Sequence, residues 1–157
     1  MNSLGVGLPG GYVDEFDTGG NFLKRIATNG SLYAPWGITL APATFGGIGG
    51  ALLVGQFGDG QILVYDSSTD QFLGTINGTN GQPVVNPFLW SLESRTGGAN
   101  VNLNAVYFTA GYNNQLDGLF GEIQTTQTPE PGTIARVLSV WGVLGARRLL
   151  RRQERRA

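Results

Sequence analysis

The chain repeats itself at a spacing of about 50 residues, and this limits its fold more tightly than any other feature. Gly11-Tyr-Val-Asp-Glu-Phe16-Asp17, a glycine-rich turn and Asn21-Phe22-Leu23 recur as Gly60-Gln-Ile-Leu-Val-Tyr65-Asp66, a polar turn and Gln71-Phe72-Leu73. The offset is 49, lengthening to 50 after one inserted turn residue. A third copy is read from Gly121-Glu122-Ile123. The intervening segments repeat too: Ala34-Pro35-Trp36-Gly37-Ile38 matches Pro87-Phe88-Leu89-Trp90-Ser91-Leu92, and the run 52–57 matches 105–110.

Strand candidates with period-2 patterning and Gly, Asn, Asp or Pro boundaries fall at 12–16, 22–26, 36–40, 51–57, 61–65, 72–76, 88–92, 104–109 and 119–123. Four short strands per unit of about 50 residues is the pattern of a propeller blade, a small sheet that buries its faces against its neighbours. The expected fold is therefore all-β, with about two β-propeller-like blades. Propellers close with about four to eight blades, so the ring is incomplete. Residues 1–125 are read as this repeat region, 126–132 as a linker, and 133–157 as a short C-terminal hydrophobic helix with an arginine-rich end.

Composition fits this reading and removes several chemistries. Twenty-six glycines and seven prolines among 157 residues, with 13% charged residues, describe many turns between short strands. There is no Cys and no His, so disulfides, Cys or His zinc sites and Ser-His-Asp triads are excluded. Before Pro129 only Lys24, Arg25 and Arg95 oppose nine carboxylates, while the other seven basic residues follow Pro131. An acidic body with a basic end argues against a nucleic-acid-binding body, which needs positive charge on a folded face.

Trp36 and Trp90, one in each of these matched segments, are read as blade-packing residues rather than a carbohydrate platform. Phe16-Asp17 and Tyr65-Asp66 are each read as a core aromatic followed by a turn-opening carboxylate. Gly5-Val-Gly-Leu-Pro-Gly10 fits a dinucleotide fingerprint, but no strand precedes it and a strand, not a helix, follows Pro9. The stretch 113–118 resembles the start of a calcium loop. It carries one carboxylate, Asp117, and Gln124 stands where a bidentate Glu belongs, so a plain turn is expected. Phe57-Gly-Asp59-Gly60 is read as a hairpin turn. No cofactor and no resident metal are expected, and Asp59, Asp66 and Asp117 are the weak metal candidates.

The C-terminal run is Pro129-Glu130-Pro131-Gly132, then a 14-residue largely apolar stretch at 133–146, then Arg147-Arg148-Leu149-Leu150-Arg151-Arg152. This order resembles the PEP-CTERM sorting signal. Together with Ala34-Pro-Trp-Gly37, Leu53-Val-Gly-Gln-Phe-Gly-Asp-Gly60, Leu89-Trp90 and Tyr107-Phe-Thr-Ala-Gly111, the chain resembles a bacterial family of propeller-like proteins with such tails. It is more loosely similar to NHL-type propellers. The resemblance implies recognition of Pro129, Glu130 and Pro131 by an exosortase in the inner membrane. It also implies retention through Arg147, Arg148, Arg151 and Arg152 by the positive-inside rule. A protein of that family would be exported from a Gram-negative cell to the envelope or matrix, possible partners including exopolysaccharide. That family has a longer body and a secretion signal, and Met1-Asn-Ser-Leu-Gly-Val lacks both a basic n-region and an apolar h-region, so loss of N-terminal sequence is expected. The expected function is a non-enzymatic binding or structural module. The alternative is a piece of a calcium-dependent propeller enzyme of lactonase type.

Overall fold

A computed structural model describes residues 9–125. The chain divides into two units, Met1–Thr126 and Gln127–Ala157, and the described residues belong to the first. The expected C-terminal helix at 133–157, the motif Pro129, Glu130 and Pro131, and Arg147, Arg148, Arg151 and Arg152 lie outside the described residues.

The described body is mostly β-structure in three antiparallel sheets. Sheet 1 is the hairpin β1 (Tyr12–Phe16) and β2 (Phe22–Thr28). Sheet 2 runs in chain order through β3 (Pro35–Leu40), β4 (Leu52–Gln56), β5 (Ile62–Tyr65) and β6 (Phe72–Thr75). Sheet 3 contains β7 (Leu89–Ser94), β8 (Ala105–Ala110) and β9 (Leu119–Gln124). The three sheets do not close into a ring among the described residues.

Turn chemistry sets the hairpins. Asp17 opens the β1–β2 turn, its Oδ1 accepting from the backbone N–H of Gly19 at 2.9 Å and of Asn21 at 2.8 Å. Asp66 does the same before β6, accepting from the N–H of Ser68 and Thr69 at 2.9 and 2.8 Å and from the Ser68 hydroxyl at 2.6 Å. A short carboxylate that bonds the backbone just ahead of it fixes a tight turn without help from the core. The aromatic preceding each carboxylate meets the aromatic that opens the next strand. Phe16 and Phe22 rings lie 5.7 Å apart, Tyr65 and Phe72 rings 5.4 Å apart.

Backbone pairing shows that the repeat reaches down to irregularities. In sheet 2, Pro35 pairs with Gln56 and Gly37 with Gly55, so the ladder skips at Trp36. In sheet 3, Leu89 pairs with Ala110 and Ser91 with Thr109, so it skips at Trp90. Two residues before each tryptophan the backbone is left-handed, at Ala34 (φ 51°) and Phe88 (φ 56°). The same hydrogen bond follows, Phe57 N–H to Ala34 O and Gly111 N–H to Phe88 O, both at 2.9 Å. The inner strands are thus equivalent at an offset of 54, which aligns Gln56 with Ala110, one residue from the match read off the sequence.

β5 and β9 are equivalent at an offset of 58, because Leu63 pairs with Val54 and Gly121 with Phe108. The third copy therefore starts at Gly118, not Gly121. The difference of four residues lies in the β8–β9 connection, which is longer than the turn joining β4 to β5.

Sheet 2 is the middle layer. Side chains alternate along its strands, so Leu53, Ile62 and Val64 face Leu89, Leu92, Val106 and Phe108 of sheet 3. Val54, Leu63 and Tyr65 point the other way, onto Val13 and Leu32. All four residues of β5 are buried, as a strand covered on both faces requires. Each such side chain contributes about 1.5–3 kcal/mol by leaving water. Lys24 of β2 ties sheet 1 to the turn before β6, its Nζ lying 2.8 Å from both carboxylate oxygens of Asp70.

Candidate functional site

The three carboxylates singled out in the sequence are each occupied in their own turn. Asp59 accepts from the Gln61 backbone N–H at 3.0 Å, and the Gln56 amide donates to both of its oxygens at 3.1 and 3.2 Å. Gln56 is fully buried, and its Oε1 accepts from the Tyr33 backbone N–H, so this polar side chain is satisfied at both ends. Asp66 is held far below the usual carboxylate range by the hydroxyl and backbone N–H groups of Ser68 and Thr69. Asp117 accepts from the Asn113 side-chain amide at 3.1 Å. Among the described residues no group of three or more carboxylates, histidines or cysteines is placed to hold a metal ion.

The tryptophans do pack, but incompletely. Trp36 and Trp90 meet edge to face with centroids 5.0 Å apart, and Trp90 lies 4.9 Å from Phe57. Phe57 is also 5.4 Å from Phe88. This aromatic cluster bridges sheets 2 and 3 at the end where β3 and β7 begin. Yet Trp36 keeps 61% of its surface exposed and Trp90 37%.

Beside Trp90 opens a cleft of about 580 Å³ that the sequence reading missed. Its walls are Trp90 and Thr109 on the sheet, Gln115, Leu116 and Asp117 from the long β8–β9 connection, and Phe120 of β9. The connection contains the turn α1 (Tyr112–Gln115), in which Asn113, Asn114 and Gln115 take φ of 52°, 54° and 67°. A non-glycine residue in this region costs about 1–2 kcal/mol, somewhat less for Asn, whose side chain bonds locally. The turn is closed by Gln115 N–H to Gly111 O at 3.0 Å and Leu116 N–H to Asn113 O at 3.1 Å. Leu116 is 80% exposed and Phe120 70%, whereas the residue equivalent to Phe120 in sheet 2, Ile62, is completely buried. The signal that could have revealed the cleft is the mismatch between the two repeat offsets, which locates an insertion at this loop.

Three proteins of Acanthamoeba polyphaga mimivirus, each described as uncharacterized, are similar to this chain. Protein L690 is 32% identical over 123 residues, 78% of this chain and 32% of the relative. Protein R648 is 34% identical over 113 residues, 72% of this chain and 27% of the relative. R640 is 37% identical over 62 residues, 40% of this chain and 11% of the relative. The chain thus spans about a third or less of the length of the curated relatives it matches. No protein-family profile matches the chain. No solved structure matches it either.

These relatives overturn the resemblance to PEP-CTERM sorting proteins and to NHL-type propellers. The similar proteins are viral rather than bacterial exosortase substrates, and nothing in their descriptions concerns sorting. Among the described residues no helix is long and apolar enough to cross a membrane; the expected helix at 133–157 lies outside them, and its reading as part of a sorting signal falls with the family resemblance. In physical terms, a Pro-Glu-Pro break before a 14-residue apolar stretch falls short of the ~20 apolar residues that a spanning helix needs. The exosortase partner and the envelope location rested on that tail and are not carried further.

Proposed function

We propose that this chain is a segment of a β-propeller-like repeat protein that serves as a non-catalytic binding or structural module. One observation carries the reading: sheets 2 and 3 share strand order, ladder skip, left-handed residue and the hydrogen bond that follows it at an offset of 54, which supports reading the sheets as blades, whole or partial, of one array. In this assignment sheet 2 is a whole blade, sheet 1 contributes the two outer strands of the blade before it, and sheet 3 the three inner strands of the blade after it. A match of 123 residues that makes up 32% of L690 corresponds to a relative of about 380 residues. That length holds about seven units of about 50 residues, within the range in which propellers close.

The non-catalytic part of the proposal is supported by how the carboxylates are used. A calcium-dependent hydrolase needs several oxygen ligands converging on one ion. Asp59, Asp66 and Asp117 instead each bond groups in their own turn. The test is a lactone and ester hydrolysis panel on the full chain with added calcium, together with thermal melts. No turnover above buffer and no calcium-dependent rise in Tm are expected. Turnover that disappears in Asp117→Asn or Asp59→Asn would restore the lactonase alternative.

A further inference from the structure

We infer that the cleft beside Trp90 is a binding site for an uncharged, hydroxyl-rich ring, a pyranoside, stacked on the aromatic wall. This rests on the module reading above and names its ligand class. In repeat architectures, insertions within single units map to loops on one face, often the binding face. Here the four extra residues of the β8–β9 connection fall at the cleft and bring Gln115, Leu116 and Asp117 to its rim.

The exposed rings are not demanded by packing. Phe120 stands where Ile62 is buried, and its ring stacks on Tyr107 with centroids 5.8 Å apart and 9° between planes. The contact with Tyr107 is offset, and Phe120 remains 70% exposed. Aromatic faces attract the polarised C–H groups of a sugar ring, and a neutral ring loses little hydration on its C–H face. Around them stand a carboxylate (Asp117), an amide (Gln115) and a hydroxyl (Thr109), which suit ring hydroxyls that both donate and accept. No cationic side chain lines the cleft, so phosphates and carboxylates have no counter-charge there. A single carboxylate is too little for a divalent ion.

Repeat geometry offers a rival occupant. In sheet 2 the equivalent place is filled by the next sheet, whose Phe88 and Trp90 pack on Phe57. Sheet 3 is not built to receive an aromatic strand in that way. Gly111 replaces Phe57, and the row Gly37–Gly55–Ile62 is replaced by Ser91–Thr109–Phe120, with the two hydroxyls bonded at 2.8 Å. The next row, Thr39–Leu53–Val64, becomes Glu93–Tyr107–Glu122. Hydroxyls and carboxylates favour the sugar.

The experiment titrates the full chain with cellobiose, maltose and chitobiose, read by saturation-transfer NMR and tryptophan fluorescence. Saturable binding of at least one sugar, with transfer to ring C–H protons, is expected. Asp117→Ala removes a hydrogen-bond acceptor that is charged and Phe120→Ala removes an aromatic stacking face; both positions are exposed, and each change should weaken binding about tenfold while the melt stays unchanged. No response to any of the three sugars from a chain that melts cooperatively overturns the sugar assignment and leaves the blade reading standing. Binding of a synthetic peptide spanning residues 84–94, abolished by Phe120→Ala, also overturns it and makes the cleft a socket for another repeat.

Discussion

Gly37 tests the packing of one sheet on the next. A Cβ added there would lie 2.7 Å from the backbone N of Leu92 and 2.9 Å from the Cα and carbonyl carbon of Ser91. Real Cβ atoms do not approach backbone so closely, and backbone cannot swing aside as a long side chain can. Gly37→Ala must therefore push β7 away from β3, loosening Leu89 and Leu92, which are 0% and 4% exposed. Inserting a methyl group into a tight core costs about 1–3 kcal/mol. Because the displaced partner is backbone and two leucines are affected, the upper end, about 3 kcal/mol, is expected. With a urea m-value of about 2 kcal/mol/M for a domain of this size, the midpoint should fall by about 1.5 M. Ser91 is the built-in control, since it occupies the equivalent place in sheet 3 and is exposed there. Ser91→Ala should shift stability by no more than about 0.5 kcal/mol. Equilibrium urea unfolding followed by far-UV circular dichroism measures both. An unchanged midpoint for Gly37→Ala, or an equal loss in Ser91→Ala, would refute the close sheet-to-sheet contact.

The other predictions concern polar groups. Gln56→Leu removes the partner of the half-buried Tyr33 N–H and of Asp59, and should cost about 1–3 kcal/mol in the same assay. Acid should destabilise the fold through Asp14, Asp17 and Asp66. Their carboxyls are held below the ordinary 3.8 by Arg25, by Asn21 and by Ser68 with Thr69 respectively. Their contribution is present above the unfolded value and drains away as pH falls through the folded ones, so Tm should decline below about pH 4, less steeply in Asp66→Asn. At the alkaline end Lys24 is raised by Asp70, and burial raises the Tyr65 phenol. Stability from both is complete below their unfolded values, near 10.5 and 10, and is lost as pH climbs through the folded ones. An alkaline melt of Tyr65→Phe should be flatter than that of the parent.

The strands were legible because each carries its own instructions. All nine sequence candidates became strands, and 12–16 coincides with β1 residue for residue. Period-2 patterning and turn carboxylates such as Asp17 and Asp66 act over a few residues, so they can be read locally. The cover on both faces of β5 was not read from the period-2 pattern and shows only once sheets 1 and 3 are in place. What stayed hidden depends on neighbours distant in sequence. The ladder skips at Trp36 and Trp90 look like ordinary alternation until the partner strand is in place. Gln56 reads as a solvent-facing glutamine, and only the Tyr33 N–H and Asp59 explain why it can be buried. The cleft needed the left-handed turn at Asn113–Gln115, which three polar residues without a glycine do not announce.

Equivalence of backbone does not carry equivalence of surface. β3–β5 and β7–β9 superpose in pairing, yet one set presents Leu53, Ile62 and Val64 to its neighbour and the other presents Tyr107, Phe120 and Glu122. The first set gains stability by covering aliphatic surface, so its neighbour is fixed by shape and apolar area. The second cannot be covered in the same way, because burying the charges of Glu93 and of Glu122, which is bonded only to the neutral Gln124 amide, would cost more than the burial of Phe120 and Tyr107 returns. Whatever lies against sheet 3 must therefore offer hydrogen-bond donors to Glu93 and Glu122 or leave them in water. Repetition built the scaffold, and the side chains that depart from the repeat, Ser91, Glu93, Thr109, Gly111 and Phe120, are where this chain has room for a specific ligand.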